Sequence, residues 1–412
     1  MKTASQYPVA AIISEYNPFH NGHAWHIEAT RATLGPDCRV VAIMSGNFVQ
    51  RGAPAIFDKW TRAEHAVRCG ANLVIELPTY YATAAAPDFA WGGVKIAEAI
   101  GIATHLSFGV EIEPGPAARY GEAPRRSAPG NADRPCADLG IDGQGERDIQ
   151  EHLRRGYSYA AAVGRAKGIA PSPNRTLGTE YRRALERLES TILPLEIPRI
   201  GQSHHDTAVE SRVPSASAIR TYHKNTGTFP LQGIPEILHP LYLQHLSDSA
   251  IHIEAFETLI LTCLRTTDPD QLRRIRGFRE GIENRFVEAA LRNESYQSLI
   301  ESVKTKRYTR ASLDRMLISM LLVITSDSEC SQRPPSYLRI LAFDDLGRAM
   351  LREIRQQSET ELITRWQTSE SYRNCNPHLM LDQRASALYA TIAKQPLYEE
   401  RTRPPFYLIT AR

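Results

Sequence analysis

The stretch from Val9 to His26 constrains this chain more than any other. Val9-Ala-Ala-Ile-Ile13 is a short apolar run of the kind that forms a strand buried on both faces. Asn17-Pro18 ends it, because the residue before a proline is pushed out of helical geometry. After Gly22 the spacing becomes helical and runs to Gly35, a natural C-cap. His20 and His23 therefore flank the turn where a strand feeds a helix. The N-terminus of that helix carries unpaired N–H groups and a partial positive charge, which suits a phosphate. Two imidazoles beside it would hydrogen-bond oxygens that gain charge when a phosphoryl group is attacked. The pattern predicts a nucleotide site.

The same alternation continues. Arg39–Met44, Asn72–Leu77 and Thr104–Gly109 read as strands, and Lys59–Cys69 and Asp88–Ile100 as helices between them. Four such alternations predict a parallel α/β sheet with right-handed crossovers, which binds ligands at the carboxyl ends of its strands. The loop Ser45–Ala55 leaves one such end with Asn47, Gln50 and Arg51, and the planar fork of Arg51 suits phosphate or carboxylate. Gly109 ends the fourth strand, where backbone can approach a base or ribose.

Texture then changes. Residues 113–145 are dominated by Pro, Gly, Ala, Arg and Asp without apolar periodicity, and read as a flexible surface insertion. Helices resume at Glu146–Ala166 and after Ser172, and Leu195–Ile200 reads as a fifth strand. Pro and Gly recur from Gly227 to Pro240, suggesting a linker. This divides the chain into a catalytic domain, residues 1–235, and a mostly helical domain, 236–412. Within the latter, Gln271–Arg315 holds eleven basic against six acidic residues. Its densest part, Lys304-Thr-Lys306-Arg307-Tyr308-Thr-Arg310, interleaves a tyrosine with cations, a fit for RNA phosphates and base stacking.

Bulk properties set limits. A net charge of +3 over 412 residues is too small to define a polyanion partner globally, so any nucleic-acid footprint is local. Six scattered cysteines form neither a disulfide framework nor a zinc ribbon, no metal-ligand motif stands out, and no apolar run is long enough for a membrane. A reducing cytoplasm is the expected location.

His20-Asn-Gly-His23 resembles the His-x-Gly-His signature of the nucleotidyltransferase superfamily. With Glu15-Tyr-Asn-Pro-Phe-His-Asn-Gly-His and Met44-Ser-Gly-Asn-Phe-Val-Gln-Arg-Gly52, it resembles the bacterial tRNA(Met) cytidine acetate ligase family. The resemblance extends to Ser172-Pro-Asn-Arg-Thr-Leu-Gly-Thr-Glu-Tyr181 and Pro214-Ser-Ala-Ser-Ala-Ile-Arg220, and on to Lys304–Thr309 and Pro334–Phe343. It departs from the family at Val110, Arg175 and Ser217.

The resemblance implies a Rossmann-like nucleotidyltransferase domain that binds ATP at Ile13, Ser14, Glu15, Tyr16, Asn17, Pro18, Phe19, His20, Asn21, Gly22, His23 and His26. It adds Gly109, Asn174, Arg199 and Ile200 to that set. It implies catalytic roles for His20 and His23 at the α-phosphate, and for Ser217 and Arg220 at the leaving pyrophosphate, with Mg²⁺ bridging its oxygens. Ser215 or Ser217 would cap the helix. The implied reaction joins acetate to N4 of the wobble cytidine through acetyl-adenylate, with the anticodon arm of elongator tRNA(Met) gripped by Lys304, Lys306, Arg307, Tyr308 and Arg310. Two rivals are an adenylyltransferase acting on a small phosphorylated metabolite and an RNA-binding protein that holds ATP without catalysis.

Overall fold

A computed structural model describes residues 7–111, 143–155, 157, 159–166, 173–200, 211–248, 253–305, 307–397 and 399–409. The first strand, β1 (Val9–Ser14), leads into helix α1 (Asn21–Leu34), and β2 (Arg39–Ser45) follows. A short hairpin, β3 (Phe48–Val49) and β4 (Ala53–Pro54), precedes α2 (Lys59–Arg68) and β5 (Leu73–Leu77). Next come α3 (Thr79–Ala82), α4 (Ala86–Ile100) and β6 (His105–Val110). Then follow α5 (Gly143–Arg154), α6 (Tyr159–Ala166), α7 (Pro173–Arg187), β7 (Leu193–Pro198) and α8 (Ala216–Thr226). Of the insertion expected at 113–145, residues 113–142 lie outside the described residues, and 143–145 already belong to α5.

β5, β2, β1, β6 and β7 lie side by side and parallel, as the alternation predicted. Apolar side chains alternate between two cores. Val41 and Ile43 of β2 face one cluster with α4, and Val40, Ala42 and Met44 face the other with α1 and α2. Burying each Val, Ile or Met of this kind contributes about 1.5–3 kcal/mol, so both faces must be covered by helices.

The second half of the chain is more than helical. Its strands β8 (Tyr337–Asp344), β9 (Glu361–Ile363) and β10 (Phe406–Leu408) join the same sheet. β8 runs antiparallel to β5, pairing Leu73 with Phe343 and Ile75 with Ile340. Asn72 fixes this seam: its Oδ1 accepts from Val40 N at 2.9 Å and its Nδ2 donates to Asp344 at 2.8 Å. A buried ion cluster reinforces it, with Lys59 Nζ 2.7 Å from Glu76 and 2.6 Å from Glu400. Burial outweighs the lysine's pull and raises Glu76 to about 7.

Candidate active site

The chain moves from β1 toward β2 and β5 on one side, then returns to β6 and β7 on the other. The switch point therefore falls between β1 and β6. β1 pairs with β2 over six positions but with β6 over only two, Ala10 with His105 and Ala11 with Leu106. The carboxyl ends of β1 and β6 part, and a cavity of about 250 Å³ opens there.

His20 sits at the N-cap of α1. Its Nδ1 accepts from Gly22 N at 3.0 Å, and His23 Nδ1 accepts from His20 N at 3.3 Å. The rings stack with centroids 3.8 Å apart. A Cβ at residue 22 would stand 2.8 Å from His20 Cε1, so glycine is what allows the ring to fold back over the helix start. Because both Nδ1 atoms accept backbone hydrogens, each neutral ring carries its proton on Nε2. Burial, then the charges of His20, Arg199 and His26, hold His23 well below the usual imidazole range. Burial and Arg199 lower His26 to about 4, and its Nε2 lies 2.9 Å from Ser107 Oγ of β6. At neutral pH, His23 and His26 are uncharged.

The second helix start comes from α8. Ser215, not Ser217, is its N-cap, accepting from Ala218 N at 3.1 Å, with Ser217 Oγ 3.2 Å from Ser215 Oγ. Ser215 lines the cavity, whereas Ser217 and Arg220 do not. Arg220 donates to Asn17 O, and burial lowers it to about 10 despite the opposing pull of Glu15. The two helix starts are thus tied through the Asn17 peptide.

Arg62, on the buried stripe of α2, draws the ends of β1 and β2 together. It donates to Glu15 O at 2.6 Å, Ser45 O at 3.1 Å and Phe57 O at 3.0 Å. Asn47 is structural: its Oδ1 accepts from Lys59 N at 2.9 Å at the head of α2. Gln50 and Arg51 reach the cavity, and Gln50 N donates to Glu15 Oε1 at 2.9 Å.

The β6–β7 wall is apolar and aromatic, formed by Phe89, Phe108, Leu177, Tyr181 and Ile197. Such a wall suits a purine face. Arg199 and Ile200 lie just past β7, which runs from 193 to 198 rather than from 195 to 200 as the sequence suggested. Asn174 is oriented by Glu111, whose Oε1 accepts from its Nδ2 at 2.9 Å.

The cavity gathers most of the residues that the resemblance nominated for ATP: Ile13, Ser14, Glu15, Tyr16, Asn17, His20, Gly22, His23, His26, Gly109, Asn174, Arg199 and Ile200. Pro18, Phe19 and Asn21 do not line it. Phe19 is buried against Tyr16, with ring centroids 4.8 Å apart, and Asn21 Nδ2 donates to Arg212 O and Gln232 O at 2.7 and 3.0 Å. The aromatic wall escaped the sequence reading. Helical spacing on α7 held the signal, since Asn174, Leu177 and Tyr181 recur at i, i+3 and i+7.

The basic stretch lies apart from this wall, and its cations are largely occupied. Arg307 pairs with Glu280 at 2.6 Å, and Arg310 lies 3.8 Å from Asp314. Tyr308 is half-buried, packed on the larger core. Arg276 is half-buried against the first half, donating to Tyr80 O at 2.8 Å and Thr83 O at 3.1 Å. Lys304 is exposed, while Lys306 lies outside the described residues.

A phosphate-type helix start with a stacked His pair, at the switch point of a parallel sheet, defines an α/β nucleotidyltransferase. Residues 8–403 match the family described as HIGH Nucleotidyl Transferase. More narrowly, the chain belongs to the tRNA(Met) cytidine acetate ligase family. It is 39% identical to the ligase of that name from Exiguobacterium sibiricum over 96% of this chain and 97% of the relative. It is 33% identical to that from Acetivibrio thermocellus, over 95% and 97%. Among solved structures, Thermotoga maritima TmcAL bound with alpha-thio ATP superposes with a TM-score of 0.82 at 26% identity, covering 98% of this chain and all of the other.

Proposed function

We propose that this chain is an ATP-dependent ligase. It activates acetate as acetyl-adenylate and transfers the acetyl group to N4 of the wobble cytidine of elongator tRNA(Met), forming N4-acetylcytidine. The carrying observation is the His20–His23 cap at the switch point, where each Nδ1 accepts a backbone hydrogen and Nε2 is left as the donor. Acetate does not acylate an amine directly because hydroxide leaves poorly, whereas AMP leaves readily. The protein's task is positioning and charge stabilisation, with no nucleophilic Ser or Cys needed.

In this reading the aromatic wall takes the adenine and Asn174 contacts the nucleoside. The His pair donates to the α-phosphate, and the α8 start at Ser215 takes the leaving pyrophosphate. Ser217 and Arg220 support that start. Glu15 is the sole carboxylate among the described cavity-lining residues, so Mg²⁺ would arrive held mainly by phosphate oxygens and water. Bound there, it would neutralise charge on those oxygens.

The exposed Lys304, Arg307 and Arg310 would grip the anticodon arm together with Lys306. Tyr308 flanks them. The functional division into 1–235 for chemistry and 236–412 for RNA belongs to the same proposal, although the sheet spans both. No helix among the described residues is long and apolar enough to cross a membrane, and a cytoplasmic location accords with a tRNA substrate.

The test is incubation with ATP and labelled acetate, with and without elongator tRNA(Met). Label should enter acetyl-adenylate without tRNA and N4-acetylcytidine with it. Absence of acetate-dependent pyrophosphate release, or label appearing in neither product, overturns the proposal.

A further inference from the structure

One cation at the cavity is left without a task by the nucleotide reading. Arg51 stands on the tip between β3 and β4, lines the cavity and is exposed. Among the described residues it makes no hydrogen bond or ion pair. Arg199, the other cavity-lining arginine, is by contrast influenced by Glu111.

The tip that carries Arg51 is fixed on both sides. Gln50 N donates to Glu15 Oε1 at 2.9 Å, and Gln50 O accepts from Arg315 Nη1 at 3.3 Å. Gly52, at φ +77°, lies so close to the helix Arg310–Leu321 that a Cβ would stand 2.4 Å from Arg315 N. A side chain with five donors is thus held at the cavity by a backbone that cannot drift.

Its position selects the ligand. The apolar wall of β6 and β7 takes the base, the α1 start at the centre takes the α-phosphate, and the α8 start takes the pyrophosphate. Arg51 follows β3 on the β2 side of β1, across that strand from the β6–β7 wall, and its charge reaches Arg220 of α8. An attacking carboxylate must approach the α-phosphorus from the side opposite the departing pyrophosphate, and a guanidinium fork binds a carboxylate in two points.

We propose that Arg51 binds the carboxylate of the acyl substrate and aims it at the α-phosphorus, with Arg315 as a positioning residue acting through the Gln50 peptide. This rests on the acetate-ligase reading. One carboxylate oxygen gives its electron pair to phosphorus, and the bond to the bridging oxygen breaks with its pair leaving on pyrophosphate. The other carboxylate oxygen becomes the carbonyl of acetyl-adenylate, and no proton moves.

Acetate-dependent ATP–pyrophosphate exchange tests this in the full chain, with ATP binding measured separately by calorimetry. In Arg51→Ala the KM for acetate should rise roughly 10- to 100-fold, the loss expected of a charge-assisted bond, with ATP affinity near wild type. Arg51→Lys should recover part of the loss, and Arg315→Met should shift KM for acetate in the same direction by less. An unchanged KM for acetate in Arg51→Ala overturns the inference. So does a loss of ATP affinity that accounts for the defect, because Arg51 would then be a phosphate ligand. If the wild-type protein itself shows no acetate-dependent exchange, the ligase reading fails and this assignment falls with it.

Discussion

The cavity at β1–β6 and the basic stretch Gln271–Arg315 were both conspicuous in sequence, and the fold treats them oppositely. At the cavity, residues from β1, α1, α7 and the tip after β3 converge on one void. In the basic stretch the charges disperse. Arg273 joins Asp270 and Glu283, Arg292 joins Glu288, and Arg307 joins Glu280, while Arg276 and Arg315 anchor the helices to the first half. A motif read as a turn between strand and helix specifies its own geometry. A charge count does not, because each cation's partner is set by packing that the count cannot see.

The difference can be broken first at Arg276. If it is mortar, Arg276→Met leaves Tyr80 O and Thr83 O without their donor, and unfolding stability should fall by about 2–4 kcal/mol. Urea denaturation measures this. A wild-type midpoint combined with lost tRNA affinity would place Arg276 at the RNA instead.

Acid separates the regions further. His23 and His26 are held neutral when folded but protonate near 6.5 when unfolded. The unfolded chain therefore binds more protons below that value, and stability should fall as pH drops from about 6.5 toward 4. Thermal melts across this range should show the loss, and His26→Gln should flatten it. A profile that His26→Gln leaves unchanged would remove His26 as a contributor.

The smallest effect belongs to the exposed cations. Arg279 and Lys304 have no carboxylate partner among the described residues. Replacing both with Ala should reduce the salt slope of tRNA binding by about two units while acetyl-adenylate forms normally. Affinity and slope equal to wild type would move the RNA surface elsewhere.

How legible each part was follows from the range of its interactions. β1, the turn and α1 were readable because Pro18, Gly22 and the His20 cap act within a few residues. β8 was not, although Tyr337-Leu-Arg-Ile-Leu-Ala-Phe343 is an apolar run. Its role as an antiparallel neighbour of β5 depends on pairing across more than 250 residues. Arg62 and the Lys59–Glu76–Glu400 cluster were missed because a charged residue on a buried helix stripe declares its importance but not its partner. At the site, His20 and His23 were readable as a pair. Whether Ser215 or Ser217 caps α8 turns on where the helix begins, and it begins at Ala216.

The most direct measurement is acetate-dependent pyrophosphate release by His23→Ala and His20→Ala, run beside a thermal melt of each. Losing one preorganised donor at a charge-bearing oxygen should lower the rate by about 10²–10³-fold. Loss of the His20 cap should cost stability of only about 1 kcal/mol. Release at the wild-type rate in either folded variant would contradict the claim that this turn is where the α-phosphate is attacked.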